Sequence, residues 1–208
     1  KGDLAVRDGE LFSVRVDDLG EQADISFLGV DPKGSAHYAV RVDDLADAEW
    51  KTLREVGPTL GSVEGGLAVT AVALDHWRAR TRRCSRCGEP MAVVQSGWAM
   101  RCEADDVFEF PRMDPAAIVL VIRGDGRAAL GRHVGWPITR YSTFAGFVEA
   151  GESAEAAAAR EVLEETGLRI DPHRLRYFGS QPWPFPRSLM LGFHAYTDDT
   201  EFTLDHQE

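Results

Sequence analysis

"GFVEAGESAEAAAAREVLEETGL", residues 146–168, is the stretch on which the fold turns, with six glutamates and six alanines in 23 positions. At about 100° per residue, Glu161, Glu164 and Glu165 fall within roughly one third of a helix circumference. They share a face. Ala156, Ala159 and Leu163 lie opposite them, so these three form the expected apolar stripe against a sheet and the carboxylates are expected to point outward together. Like charges at i,i+3 and i,i+4 cost about 0.2–0.5 kcal/mol each, and the negative end of the helix dipole near Gly167 adds to the penalty. A hard divalent cation such as Mg²⁺ reverses that balance, because it binds carboxylate oxygens together with substrate phosphates. Taken alone, E-x-x-E-E is ordinarily a solvated acidic face.

The wider spacing points past that ordinary reading. Gly146 is followed after five residues by Glu152, and after seven more by Arg160-Glu161-Val162-Leu163-Glu164-Glu165-Thr166-Gly167-Leu168. Gly146 and Gly151 are expected to allow tight bends before the helix, Ser153 to cap it, and Gly167 to end it in the left-handed conformation. Arg160 is placed to brace a carboxylate by a charge-assisted contact. The arrangement G-x5-E-x7-R-E-U-x-E-E-x-G-U, with U apolar, resembles the Nudix box at every fixed position. That resemblance implies an α/β/α sandwich that binds Mg²⁺ or Mn²⁺ and hydrolyses a nucleoside diphosphate linked to another group. It further implies that Glu161, Glu164 and Glu165 are catalytic. Glu161, Glu165 and the Ala145 carbonyl would be metal ligands, and Glu164 a ligand or proton acceptor.

Downstream, "SQPWPFPRS" (180–188) packs three prolines and two aromatics into nine positions. Proline stiffens an extended loop and lowers the entropy lost when Trp183 and Phe185 are presented to a flat ligand. Such a run also suits a proline-rich partner strip or a buried aromatic loop. Beside a Nudix box, SQPWPFP-x-S resembles the signature of the NADH pyrophosphatase (NudC) family. The resemblance spans roughly residues 68–208 and implies cleavage of NAD⁺ or NADH to nicotinamide mononucleotide and AMP, and removal of NAD caps from RNA. Gln181, Pro182, Trp183, Pro184, Phe185, Pro186, Arg187 and Ser188 would line the dinucleotide site, with Phe147 stacked on the nicotinamide. Phe110 would close the pocket from the other subunit of a homodimer, although phenylalanines are also commonly core residues. Glu208 matches the family's distal metal-binding glutamate, and as an exposed carboxylate near the end it also needs no such role.

Cys84, Cys87 and Cys102 are the only cysteines, and the first two form a C-x-x-C pair typical of thiol ligands or redox sites. The family's ribbon carries four cysteines, as C-x-x-C, fourteen residues, C-x-x-C, and here Asp105 stands at the fourth place. The resemblance therefore implies a structural Zn²⁺ held by Cys84, Cys87, Cys102 and Asp105, although zinc sites of this kind prefer sulfur and nitrogen. A metal-free ribbon and a redox pair are the other readings.

These parts imply an α+β chain in three pieces: an N-terminal α/β domain (1–82), a zinc-ribbon-like segment (83–113) and a Nudix catalytic domain (114–208) that is expected to be incomplete at its C-terminal end. Alternating residues at 11–16, 23–30 and 37–42 suggest strands, 47–60 a short helix and 66–83 a longer one, and the apolar run 116–123 a buried strand. With 44% apolar residues and a net charge of −11, a packed core is expected, whereas broad adhesion to nucleic acid or anionic membranes is disfavoured. No eighteen-residue apolar run or secretory leader is visible, so a cytoplasmic protein is expected. Two other functions fit less well: hydrolysis of another nucleoside diphosphate derivative such as ADP-ribose, which the 180–188 motif disfavours, and a non-catalytic module that binds RNA or protein, which gives no reason for a repulsive glutamate cluster.

Overall fold

The computed structural model describes residues 2–19, 24–199 and 201–203. The chain divides into two compact units, Lys1–Arg112 and Met113–Glu208. The first contains β1 (Leu4–Arg7), β2 (Glu10–Leu11), β3 (Asp24–Val30), β4 (Ala36–Arg41), β5 (Glu49–Lys51), α1 (Leu53–Val56), α2 (Ser62–Arg80), β6 (Ala92–Val94), β7 (Ala99–Cys102) and β8 (Val107–Glu109). They form two small sheets, β2-β1-β5 and β6-β7-β8, and the hairpin β3-β4.

Two expectations change in this unit. Of the alternating stretch 11–16 only Leu11 enters a strand, because Val14 and Val16 have no surface to bury against and remain 49% and 51% exposed. The helix expected over 47–60 shrinks to the four residues of α1, since Glu49–Lys51 instead pairs along β1. A capping box formed by Thr52 and Glu55 starts that short helix. Leu74 and Trp77 of α2 form a core cluster with Cys84, Met91, Met100 and Cys102, which roots the ribbon on the helix that leads into it.

The second unit contains β9 (Asp114–Arg123), β10 (Ala128–Ala129), β11 (Phe144–Phe147), α3 (Ala154–Thr166), β12 (Arg176–Trp183) and β13 (Ser188–Thr197). Its mixed sheet runs β10-β9-β13-β12, with β11 also paired to β9, and β9 and β13 are parallel over ten residues from Ser188↔Asp114 to Thr197↔Arg123. β9 is the apolar run read from the sequence. Its Ala117, Val119 and Val121 alternate onto one face, where they meet Phe193 and Ala195 of β13 and Ala157, Ala158 and Val162 of α3.

α3 therefore packs through a different stripe from the expected one. Ala157, Ala158, Val162 and Thr166 are buried, whereas Leu163 is 38% exposed and Ala156 and Ala159 are only half-buried. The alanine pair lets the helix approach the sheet closely, and the rotation that achieves this carries Glu161 and Glu165 to the edge of the packed face. Capping follows expectation: Ser153 Oγ accepts the Ala156 amide at 3.1 Å, and Gly167 ends the helix with φ +74° and its amide on the Leu163 carbonyl.

Candidate active site and metal ribbon

The site is built where β11 passes under the C-terminal half of α3. Gly146 faces the helix, and a Cβ placed there would lie 1.9 Å from the Glu161 carboxylate carbon. Its lack of a side chain is thus required for the approach of Glu161, not for the expected backbone bend; Gly151, with φ +87°, supplies the bend. The Glu161 side chain is only 14% exposed, Glu165 is half-buried, and Glu164 is 58% exposed. The three glutamates consequently do not project outward together, as the helical wheel predicts; only Glu164 does.

Arg160 organises the cluster. Its Nε and Nη2 donate to the two carboxylate oxygens of Glu152, each at 3.0 Å, while Nη1 donates to Glu161 at 2.7 Å and Glu164 at 3.2 Å. Nη2 also donates to the Phe147 carbonyl at 2.9 Å, tying the helix to β11. Such bidentate, charge-assisted contacts set geometry as well as energy. The hydrogen bonds from Arg160 and from the Glu149 amide hold the Glu152 carboxyl below its ordinary range, and Glu152 and Glu161 raise Arg160 in turn. Glu165 accepts the Ala145 amide at 3.1 Å. One cation thus serves three carboxylates, which leaves an excess of negative charge suited to a hard divalent ion. Glu152 is a fixed position of the sequence motif to which the motif alone assigns no role, and its eight-residue separation from Arg160 is the signal for this pairing.

The sheet register relates the remaining predicted residues. Phe147 pairs with Ala116, Ala116 with Met190, and Met190 with Gln181, so Phe147 and Gln181 stand in one row three strands apart. Strand alternation puts both, with Trp183 two residues along, on the sheet face opposite α3. Phe147 is 58% exposed. The 180–188 stretch is not a free extended loop: Ser180–Trp183 belong to β12, four turn residues follow, and Ser188 starts β13. Trp183 and Phe185 pack edge to face with centroids 5.0 Å apart, Pro184 and Ser188 are buried, and Gln181, Pro182 and Pro186 are exposed. Arg187 Nε donates to Asp114 at 2.8 Å, fixing the hairpin to the start of β9. Glu208 lies outside the described residues.

In the first unit, Phe110 is 48% exposed and stacks on Phe108 at 6.4 Å. Cys84, Cys87, Cys102 and Asp105 bring their ligand atoms within 4.8 Å of one another. Cys87 and Cys102 sulfurs stand 3.5 Å apart, and Cys84 Sγ is 3.7 Å from Asp105. Ligand atoms about 2.1–2.3 Å from a tetrahedral ion are separated by roughly 3.6–3.8 Å, so the cluster fits zinc. The local backbone agrees: the Arg86 amide donates to Cys84 Sγ, and Gly88 takes φ +77° to close the first knuckle. In the second knuckle Asp106 takes a left-handed φ of +52°, held by Arg101 at 2.8 Å. Amides of Cys87 and Arg86 lower the Cys84 thiol; the Glu89 amide lowers that of Cys87, but Asp105, burial and the other two sulfurs outweigh it and push it up to about 12. A dication would relieve that crowding. Cys84 and Cys102 are buried, and Cys87 and Asp105 are exposed.

Comparison with known proteins agrees with these features. Residues 112–208 match the NUDIX domain, the class that this strand, loop and acidic helix define, and residues 79–110 match the NADH pyrophosphatase zinc ribbon domain. A protein named NAD-capped RNA hydrolase NudC from Mycobacterium bovis (strain BCG / Pasteur 1173P2) is 43% identical over 189 residues, covering 88% of this chain and 60% of that protein. Another of the same name from Stutzerimonas stutzeri (strain A1501) is 44% identical over 156 residues, covering 73% and 54%. The solved structure of a Nudix hydrolase from Nitrosomonas europaea shares the fold at TM-score 0.50 and 19% identity, over 62% of this chain and 74% of that one. The chain thus carries a NADH pyrophosphatase zinc ribbon domain followed by a NUDIX domain, the two parts that its sequence motifs resemble. It spans about 60% of the length of the mycobacterial relative.

Proposed function

We propose that this chain forms the catalytic part of a metal-dependent diphosphatase that hydrolyses NAD⁺ or NADH to nicotinamide mononucleotide and AMP, and removes the same dinucleotide from the 5′ end of RNA. The convergence of Glu152, Glu161 and Glu164 on Arg160, beside Glu165 on the Ala145 amide, is the observation that carries this reading. Bound Mg²⁺ or Mn²⁺ would neutralise pyrophosphate charge and lower the pKa of the attacking water. Glu161, Glu165, the Ala145 carbonyl and Glu208 would hold it. Glu164, the most exposed of the three clustered glutamates, is then the group best placed to accept a proton.

Phe147 would stack on the nicotinamide, and the shared row with Gln181 supports a ligand laid across the sheet face opposite α3. Pro182, Trp183, Pro184, Phe185, Pro186, Arg187 and Ser188 would shape the remainder of that site as a rigid hairpin. Phe110 would complete the pocket of a second copy in a homodimer. Zinc held by Cys84, Cys87, Cys102 and Asp105 would serve folding, not hydrolysis, and the free thiols suit a cytoplasmic setting. Among the described residues no helix is long and apolar enough to cross a membrane.

Incubation of the purified chain with NADH and Mg²⁺, followed by chromatographic separation of products, tests the activity. Nicotinamide mononucleotide and AMP should appear, and Glu165→Gln should lower kcat by about a hundredfold or more. Wild-type protein that leaves NADH intact would refute the proposal.

A further inference from the structure

Against a net charge of −11, residues 126–148 contain no aspartate or glutamate but hold Arg127, Arg132, His133 and Arg140. Arg127 pairs with Asp125. Among the described residues neither Arg132 nor Arg140 makes an ion pair, and both are exposed. They lie on the loop 132–141, whose base is closed by paired backbone bonds between Gly131 and Ser142 at 2.9 and 3.0 Å. β11 begins two residues after that base, so the loop flanks the carboxylate cluster within one unit.

The loop is organised internally. The Arg140 guanidinium covers the Trp136 ring at 4.6 Å, and Arg132 Nη1 donates to the Trp136 carbonyl at 3.3 Å. His133 Nδ1 accepts the Gly135 amide at 3.0 Å, so the neutral ring carries its proton on Nε2 and keeps a donor. Val134 and Ile138 are 74% and 77% exposed. Core packing accounts for none of this. Guanidinium groups without a carboxylate partner, interleaved with an aromatic plane and small apolar side chains, are what a single nucleic acid strand requires: cations for phosphates and flat surface for bases. The acidic remainder of the chain repels such a strand in general, which confines any contact to one already anchored at the site.

We propose that loop 132–141 contacts the RNA strand that continues beyond a 5′-terminal dinucleotide, with Arg132 and Arg140 on phosphates and the Arg140–Trp136 pair against a base. This rests on the reading of the substrate given above. A free dinucleotide has no phosphate beyond its pyrophosphate, so the loop distinguishes capped RNA from the small molecule.

The test uses the full chain and the double variant Arg132→Gln/Arg140→Gln, with a fluorescently labelled short single-stranded RNA that carries a 5′-terminal NAD, titrated without divalent metal, so that it stays intact, across a range of salt concentrations. Affinity for the RNA should fall about tenfold, and the slope of log affinity against log salt should shrink by about 1.4, or roughly 0.7 for each phosphate that is no longer neutralised. Turnover of NADH should stay within about twofold of wild type. RNA affinity that survives the double change, or that falls instead when Arg80, Arg82 and Arg86 beside the ribbon are replaced, would overturn the inference. So would a parallel loss of NADH turnover. A wild-type chain that binds RNA but leaves NADH intact strikes the proposed activity alone, because the RNA titration decides the role of the loop by itself.

Discussion

Replacing Gly146 with alanine separates the geometry of the site from its mere composition. The added Cβ would stand 1.9 Å from the Glu161 carboxylate carbon, and 2.0 and 2.2 Å from its oxygens, while real Cβ contacts are not found below 3.0 Å. The carboxylate must therefore retreat by about 1 Å, which breaks or stretches its 2.7 Å contact with Arg160. Losing one charge-assisted hydrogen bond at a side chain 14% exposed should cost about 1.5–3 kcal/mol. Relief is available because the clash is with the end of a flexible side chain, so the chain should still fold, with a melting temperature lower by about 3–10 °C. Catalysis has less tolerance. A displacement of about 1 Å in a carboxylate proposed to hold the metal should lower kcat/KM for NADH by roughly a hundredfold. Steady-state kinetics with Mg²⁺, alongside thermal unfolding, reads both effects. A folded Gly146→Ala protein with turnover within about threefold of wild type would refute the claim that the close passage of Glu161 over β11 sets the site.

Arg160→Gln should destabilise the protein by about 2–3 kcal/mol, since it leaves Glu152 and Glu161 partly buried and unbraced, and denaturant unfolding would measure that loss. Its pH signature is more diagnostic: the depressed Glu152 carboxyl adds stability above the ordinary value of 4.5 and loses it as pH falls through the lower folded value, so acid unfolding below about pH 4.5 should be steeper in wild type than in the variant. Phe147→Ala should raise KM for NADH about tenfold with kcat little changed, as expected when one stacking surface is removed; an unchanged KM would exclude Phe147 from the site. Asp105→Ala should release zinc to a chromophoric chelator about tenfold faster than wild type, and Asp105→Cys more slowly, with thermal stability moving in the same order. Equal release rates in all three would show that the carboxylate is not a ligand.

Much of the site is legible in the sequence because its signals are local in the chain. Ser153 and Gly167 bracket a helix whose caps need only their own neighbours, and the spacing of Glu152, Arg160, Glu161, Glu164 and Glu165 is a property of one turn-and-helix unit. The same holds for the ribbon, where two knuckles gather Cys84, Cys87, Cys102 and Asp105 at short range. Expectation and structure part where a partner from elsewhere in the chain decides the outcome. Residues 49–51 pair with β1 instead of extending a helix, the 180–188 stretch is drawn into a hairpin by β13, and Leu163 is left outside because two alanines fit the sheet more closely.

By itself, then, the order of residues determined that a capped acidic helix follows a glycine turn, and that two short knuckles bring three thiols and a carboxylate together. Which flank of the helix turns inward was decided only in three dimensions. Periodicity ranks positions by polarity, but close packing selects by volume: Ala157 and Ala158 admit β9, Gly146 admits Glu161, and Arg160 can join Glu152 to Phe147 only after those surfaces have met.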